Sequence, residues 1–245
     1  MLQYPRSLLF NIQMYVVMVL MALVYTPLTL IHRPMAFHAT RSYCRYVRWS
    51  AAWMVGLRSE IRGQVPQGEC LIASKHQSFF DILMIVSAVP RPKFIMKAEL
   101  RFVPIVGWYA KWIGCVPVDR GKRGRAIAAM KEQVEAGRAS PGQLIIYPQG
   151  TRVAPDAKLP YKVGSAILYA QLEQDCIPAA TNVGMFWPRA GVLRKPGLAV
   201  VEFLPAIPPG RAQADFMREL EEVVETASER LMAEAGHRPA SRNSP

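Results

Sequence analysis

The sequence predicts an α/β fold in which a mixed sheet is flanked by helices and preceded by an N-terminal apolar helical segment. Two patterns lead to this prediction. From residue 59 onward, short β-like runs alternate with longer stretches of helical periodicity, which is typical of a mostly parallel or mixed sheet covered by helices. Before that point, residues 8–31 form a run of 24 uncharged and mainly apolar residues. A chain of 245 residues is long enough for one such domain and an appendage.

The alternation also places the individual elements. The predicted strands are residues 59–63, 69–74, 93–97, 114–120, 143–148, 176–184 and 198–204. The predicted helices are residues 79–89, 123–137, 163–172 and 211–235. Three parts follow: an N-terminal anchor with an amphipathic helix at 1–57, the α/β domain at 58–235, and a disordered polar tail at 236–245.

Composition narrows the classes of partner. The chain is 51% hydrophobic and carries a formal net charge of +12, which suits either nucleic acid or anionic membrane lipids. Its arginines lie beside apolar and aromatic residues and no nucleic-acid motif is present, so we expect no nucleic-acid partner. The four cysteines are scattered without metal-ligand spacing, so we expect reduced thiols, no metal and no cofactor.

The apolar run predicts a membrane-associated helix. As a helix it would be about 36 Å long, enough to cross a hydrocarbon core of about 30 Å. A cleaved signal peptide is the alternative, but the run is long for one and no small-residue cleavage site follows. Asn11, Gln13 and Pro27 weaken the spanning interpretation, so a helix lying in one leaflet stays open. Basic residues follow the run, which predicts a cytoplasmic main domain.

Residues 36–57 predict a second, amphipathic helix. Arg41, Arg45 and Arg48 are spaced by four and three and therefore share one face. The opposing set is aromatic and apolar: Tyr43, Val47, Trp53, Met54 and Leu57. A basic face beside an aromatic one suits a lipid headgroup interface. The alternative is an ordinary helix packed on the domain, with its arginines in solvent.

A candidate catalytic pair follows the second strand, in the stretch SKHQSFFD. His76 and Asp81 would not meet on one continuous helix, because residues five apart differ by about 140°. They can meet if the helix begins between them, with Ser78 as N-cap and Asp81 at the third helical position. Asp81 would then orient His76 and leave its other ring nitrogen as a base. The alternative is that Asp81 only caps the helix.

Three further stretches follow predicted strands. GCVPVDR places Arg120 after one strand, YPQGTR places Gly150, Thr151 and Arg152 in a turn after another, and IPAATN ends a third. Glycine lets a backbone approach an anion, and arginine supplies a bidentate fork. Because strand ends of α/β folds commonly bind ligands, we expect an anion site there.

KHQSFFD, GCVPVDR, YPQGTR and IPAATN, in this order, resemble the four motifs of the glycerolipid acyltransferase family, specifically the bacterial 1-acylglycerol-3-phosphate (lysophosphatidate) acyltransferases. The resemblance covers residues 61–209. It implies acyl transfer from acyl-CoA or acyl carrier protein to the 2-hydroxyl of lysophosphatidate, without a covalent acyl-enzyme. It also implies an enzyme of the bacterial inner (cytoplasmic) membrane, with its catalytic domain on the cytoplasmic face and anionic membrane lipids around it.

The resemblance assigns a role to each candidate residue. His76 would be the general base and Asp81 the carboxylate that orients it. Arg152 and Arg120 would bind the phosphate, with Gly150 and Thr151 as further donors. Lys97 would stabilise the oxyanion, with a solvated lysine as the alternative.

One position departs from the family pattern. Gln149 stands where the third motif usually carries glutamate, which removes a negative charge from the predicted acceptor-binding site and leaves the head group open. Another lysolipid, such as lyso-ornithine lipid, is therefore an alternative acceptor. A non-catalytic membrane scaffold and a metal hydrolase are the alternatives from other classes, although His76 and Asp81 have no third metal ligand nearby in the sequence.

Overall fold

The N-terminal apolar run forms one long helix. The structure, a computed structural model, describes residues 2–118, 142–155 and 157–237. Helix α1 is Gln3–Ile31 and α2 is Met35–Val55. Helix α2 ends where Gly56 adopts a left-handed φ of 73°. Leu57, which the sequence pattern placed on the helix, instead begins the first strand, because the left-handed residue redirects the chain.

A seven-stranded sheet forms the centre of the domain. Its strands are β1 (Leu57–Arg62), β2 (Cys70–Ser74), β3 (Pro92–Lys97), β4 (Val116–Val118), β5 (Gln143–Ile146), β6 (Cys176–Thr181) and β7 (Gly197–Phe203). Their order across the sheet is β1-β7-β6-β2-β5-β3-β4. Every neighbouring pair is parallel except β6 with β7, so the predicted mixed sheet is confirmed.

Four further α-helices and two short 3₁₀-helices, Ala98–Phe102 and Val183–Met185, complete the described chain. The α-helices are α3 (Phe79–Ala88), α4 (Val106–Trp112), α5 (Gly164–Leu172) and α6 (Gln213–Glu234). The helix predicted at 123–137 and the tail from 238 lie outside the described residues.

The sheet carries a helical layer on each face. Along β2, Cys70 and Ile72 contribute to the core beneath α1, α2 and α3, whereas Leu71 and Ala73 contribute to the core beneath α5 and α6. This alternation follows from the two-residue period of a strand. The fully buried strand β2 therefore lies at the centre of the molecule, and the loop after it is held by both layers.

The parallel strands fix the position of the candidate site. The carboxyl ends of β2, β3, β5 and β6 point to one edge of the sheet, because these strands run in the same direction. Lys97 is the last residue of β3 at this edge. The turn with His76 follows the end of β2, and the YPQGTR turn follows the end of β5. The fold thus brings together, at one edge, motifs that are far apart in sequence.

Candidate active site

Helix α3 begins with the capping box that the sequence predicts. Ser78 is the N-cap, and its hydroxyl accepts a hydrogen bond from the backbone N–H of Phe80 at 3.2 Å. The carboxylate of Asp81, the third helical residue, accepts from the backbone N–H of Ser78 at 2.7 Å. The helix therefore starts between His76 and Asp81, as required for the two side chains to meet.

Asp81 and His76 form a hydrogen-bonded pair. His76 Nδ1 lies 2.9 Å from Asp81 Oδ1, and the second carboxylate oxygen also accepts from the N–H of Gln77 at 2.8 Å. Asp81 is wholly buried, whereas the side chain of His76 keeps 13% of its surface exposed. Because the carboxylate accepts, the hydrogen of this bond lies on Nδ1, and Nε2 is the ring nitrogen that Asp81 does not contact. Asp81 thus caps the helix and orients the ring at once.

The ring of His76 is also held from the side. Tyr147, at the end of β5, stacks on it with ring centroids 4.0 Å apart and an interplanar angle of 23°. Phe94 of β3 stacks in turn on Tyr147 at 6.4 Å. Burial, and to a smaller extent the charge of Asp81, raises the pKa of Tyr147 well above its usual value. Tyr147 therefore stays neutral and acts as a packing surface. In the sequence, only its place just after strand β5 could have indicated that it belongs to the site.

The YPQGTR turn lies directly beside the His76–Asp81 pair. The backbone N–H of Val153 donates to the carbonyl of His76 at 2.7 Å, which joins the two loops. Gly150 has a left-handed φ of 70°, and a Cβ there would meet Nζ of Lys162 at 2.6 Å. Glycine is favoured at this position because other residues rarely adopt this left-handed φ, and the end of the exposed Lys162 side chain lies over the turn. Lys162 is a cation that sequence reasoning missed, since it lies twelve residues after Gly150 and outside the motif.

The other predicted residues of this turn differ in accessibility. Arg152 and Thr151 are half-buried, and an Arg152 Nη donates to the carbonyl of Arg189 at 2.9 Å. Within the described residues, Arg152 has no carboxylate partner. Gln149 is buried: its amide nitrogen donates to the carbonyl of Leu159 at 3.4 Å. Its carbonyl oxygen is buried without a hydrogen-bond partner in the described chain. Gln149 is therefore buried beneath the turn, whereas the Arg152 side chain extends from it.

Of the two remaining predicted cations, Lys97 is exposed and Arg120 is not described. Lys97 ends β3 at the same sheet edge, but its side chain is 57% exposed and pairs with Glu99 at 3.3 Å. Arg120 lies outside the described residues.

The polar residues of IPAATN are used inside the protein. The amide of Asn182 donates to the carbonyls of Leu198 and Leu231 and accepts from the N–H of Val200 at 2.8 Å. The side-chain carbonyl of Gln77, beside His76, accepts from the N–H of Gly184 at 2.9 Å. The side chain of Asn182 is therefore used inside the protein, and the residues just after this stretch brace the loop that carries His76.

A buried ion pair supports the loop from the other layer. Lys75, only 1% exposed, pairs through Nζ with the carboxylate of Glu225 on α6. The other oxygen of Glu225 accepts from the hydroxyl of Tyr161 at 3.0 Å. The pair ties α6 to the residue before His76 and, through Tyr161, to the backbone beside Lys162. Glu225 is 150 positions away from Lys75, so no local sequence pattern joins the two residues.

The cysteine thiols are unsuited to nucleophilic chemistry. All four are free, and burial raises the pKa of each above its usual value, to about 12 for Cys70 and Cys115. A thiol must ionise to act as a nucleophile. Within the described chain, no group of three or more metal-ligating side chains is found.

The sheet carries an oriented histidine and a glycine–arginine turn at one edge, which is an arrangement suited to group transfer. Comparison with known proteins gives the family. The family model described as "Acyltransferase" matches residues 57–182, about half of the chain. The chain belongs to this family.

Two relatives and one solved structure show the extent of the likeness. The 1-acyl-sn-glycerol-3-phosphate acyltransferase of Pseudomonas aeruginosa is 28% identical over 68% of this chain and 66% of its own length. The enzyme of the same name from Saccharomyces cerevisiae is 27% identical over 76% of this chain and 64% of its own length. The match thus spans slightly less than two thirds of these relatives. The crystal structure of the 1-acyl-sn-glycerophosphate (LPA) acyltransferase from Thermotoga maritima covers 95% of this chain and 100% of its own, with a TM-score of 0.77 at 20% identity, and so shares the fold.

The Lys75–Glu225 pair yields a stability prediction. Glu225→Gln leaves a buried ammonium without its counter-charge, and we expect a loss of about 3 kcal/mol in the free energy of unfolding. The measurement is denaturant unfolding of the detergent-solubilised protein, followed by circular dichroism. Glu222→Gln, on the same helix, serves as the matched control and should change stability by less than about 0.5 kcal/mol.

A double variant tests whether the effect is that of a pair. Lys75→Met combined with Glu225→Gln removes both charges, so we expect it to be more stable than Glu225→Gln alone. If the double variant lost the sum of the two single losses, the two side chains would be independent and the tether would be refuted.

Proposed function

We propose that the chain is a membrane-associated 1-acylglycerol-3-phosphate O-acyltransferase, which moves a fatty acyl group from a thioester to the 2-hydroxyl of lysophosphatidate and forms phosphatidate. The observation that carries the proposal is the His76–Asp81 pair, held beside the Gly150–Arg152 turn at one sheet edge. A base next to an anion site is what acylation of a phosphorylated alcohol requires. The names of both curated relatives support this choice of acceptor.

The proposed chemistry needs one base and no covalent enzyme intermediate. Nε2 of His76 takes the proton of the acceptor hydroxyl while its oxygen attacks the thioester carbonyl. The tetrahedral intermediate then collapses, the carbon–sulfur bond breaks, and the leaving thiolate takes the proton from the imidazolium. Asp81 stabilises the imidazolium between these steps and keeps the ring in one tautomer. The stacked ring of Tyr147 limits rotation of His76, so that Nε2 stays aimed outward.

The proposed phosphate site combines cationic side chains with a neutral hydroxyl donor. Arg152 offers a guanidinium that lacks a carboxylate partner in the described chain, and Lys162 adds an ammonium over Gly150. Thr151 adds a hydroxyl, and by resemblance Arg120 adds a second guanidinium. Two or more cations around a phosphate dianion give charge-assisted bonds of the strong class. Lys97 remains the proposed oxyanion donor, which would require its ammonium to leave Glu99.

The proposed membrane association relies on α1. It is the one described helix that is long and apolar enough to cross a membrane. However, Gln3, Ser7 and Asn11 bond to residues 192–194 of the domain. Farther along the helix, Thr26 bonds to Tyr109 of α4 at 3.3 Å. Because the domain follows α1 over about 35 Å, we favour a helix that lies in one leaflet over one that spans.

The remaining partners follow from this placement. The opposite face of α1 is exposed and apolar: Leu8, Leu9, Ile12, Val16, Val19, Leu20, Leu23 and Val24. A lysolipid acceptor would reach the site from that leaflet, whereas acyl-CoA or acyl carrier protein would approach from the aqueous side. We therefore propose the cytoplasmic face of the bacterial inner membrane as the location.

The base assignment is tested by thiol release. We expect detergent-purified protein to release CoA from acyl-CoA only when lysophosphatidate is present, and His76→Ala to lower the rate about 10²–10⁴-fold or more, because the base is lost. His32→Ala, an exposed histidine at the end of α1, is the matched control and should keep the wild-type rate.

The other outcomes of this assay separate the competing functions. A His76→Ala rate equal to that of the wild type would contradict the proposed base. Release that needs lyso-ornithine lipid and ignores lysophosphatidate would make that lipid the acceptor, consistent with the neutral Gln149. Membrane binding without release from acyl-CoA or acyl carrier protein, for either lipid, would favour a scaffold.

The phosphate site is tested by the split between KM and kcat. Lys162→Gln removes one ammonium from the turn and leaves the base in place, so we expect the KM for lysophosphatidate to rise about tenfold, with a smaller change in kcat. Lys158→Gln is the control, since this lysine is exposed and pairs with Glu229 at 2.9 Å. An unchanged KM in Lys162→Gln would remove Lys162 from the phosphate site.

A further inference from the structure

A basic cleft lies between α2 and the edge strand β1, away from the catalytic pair. It has a volume of about 440 Å³, which is sized for a small polar group rather than for a protein element. Its lining residues are Arg45, Arg48, Trp49, Ala52, Arg58 and Ser59. Three arginines and an indole around one small cleft are the recognition chemistry of a phosphate on an amphipathic molecule.

The charge of this cleft is not neutralised by the protein. Arg48 donates to the hydroxyls of Ser59 at 2.9 Å and Ser87 at 2.8 Å, and Arg45 donates to the carbonyl of Ser87 at 3.4 Å. All of these partners are neutral. Across residues 2–118, 142–155 and 157–237, no carboxylate lies within ion-pair distance of either guanidinium or of Arg58. Burial, and more weakly the charge of Arg45, lowers the pKa of Arg48, so its guanidinium is partly withdrawn from water beside a second cation.

The surroundings of the cleft indicate where its ligand comes from. Trp49 and Trp53 stack on each other at 6.3 Å and are 62% and 74% exposed. On the side of α2 that faces α1, the hydroxyls of Tyr43 and Tyr46 bond to that helix. The surface therefore changes from apolar at α1, to aromatic along α2, to basic at the cleft. This is the order of acyl chain, interface and headgroup in a leaflet.

We infer that this cleft binds the phosphate of an anionic phospholipid headgroup in the leaflet on which α1 lies. The inference rests on the membrane association in the proposed function and adds a defined lipid site to it. The site is separate from the acceptor site: Asp81 lies in the first turn of α3 and Ser87 in its last, about 9 Å farther along the axis.

The phosphates of acyl-CoA and the acidic surface of acyl carrier protein share this anionic character. The aromatic ridge favours the lipid, because Trp49 and Trp53 would otherwise be large apolar side chains in water with nothing to cover them. The cleft is also lined by α2, which packs against α1, the element that contacts acyl chains in the proposed arrangement. These observations commit the site to a lipid headgroup, and the experiment separates the other two sources.

The experiment compares binding to two kinds of vesicle. Full-length protein is partitioned onto pure phosphatidylcholine vesicles and onto vesicles with one fifth phosphatidylglycerol. The test variant is Arg45→Gln with Arg58→Gln, which keeps Arg48 and its bonds to Ser59 and Ser87. We expect this variant to lose roughly tenfold or more in the partition coefficient on anionic vesicles and to match the wild type on neutral ones.

A control of equal charge change is available on the opposite layer. Arg211→Gln with Arg218→Gln removes two exposed arginines of the α6 region, and we expect it to keep the wild-type preference for anionic vesicles. An equal loss in this control would mean that only net charge matters and would overturn the site. An unchanged preference in the Arg45/Arg58 variant would overturn it as well.

Kinetics in neutral detergent separate the donor from the lipid. If the Arg45/Arg58 variant raised the KM for acyl-CoA or for acyl carrier protein and left vesicle partition unchanged, the cleft would hold the donor and the lipid proposal would fall. Partition is measured without acyl transfer. Failure of the wild type to release thiol would therefore count against the proposed activity alone, whereas loss of the anionic preference would still establish the lipid site.

Discussion

The buried carboxylate of Asp81 is the constraint on which the rest of the site depends. It accepts three N–H groups, from the His76 ring and from the backbone of Gln77 and Ser78. Hydrogen bonds to a charged acceptor contribute about 1.5–3 kcal/mol each, and losing them would leave a charge buried in the core. The helix start, the bend of the loop and the orientation of the base are therefore parts of one hydrogen-bonded arrangement. Tyr147 and the Lys75–Glu225 pair then hold that loop from both sides.

The fold explains why cations gather beside this pair. Parallel strands bring the YPQGTR turn to the same edge, and the bond between Val153 and His76 fixes their spacing. No carboxylate partner for Arg152 lies in the described chain, and in the proposed function an anionic substrate would supply the missing charge.

Local signals predicted the part of this arrangement that is local. The S-x-x-D pattern predicted the helix start at Ser78, and strand and helix periods predicted the seven strands and the flanking helices α3, α5 and α6. The short helix α4 was not predicted. Contacts between distant segments had no such signal: Tyr147 on His76, Lys162 over Gly150 and Glu225 at Lys75 depend on the tertiary fold. The end of α2 was misjudged by two residues because apolar periodicity continues past Gly56, although a glycine at that point is itself a common signal for a helix end.

The central claim is that Asp81 sets the tautomer of His76, and nitrogen NMR of the imidazole tests it most directly. The spectrum would be recorded on the detergent-solubilised protein with labelled histidine, near neutral pH, with His76→Ala used to assign the signals. We predict a proton on Nδ1 and an unprotonated Nε2 in the wild type, and a mixture of tautomers in Asp81→Asn. A wild-type ring with its proton on Nε2, or the same mixture in both proteins, would contradict the claim.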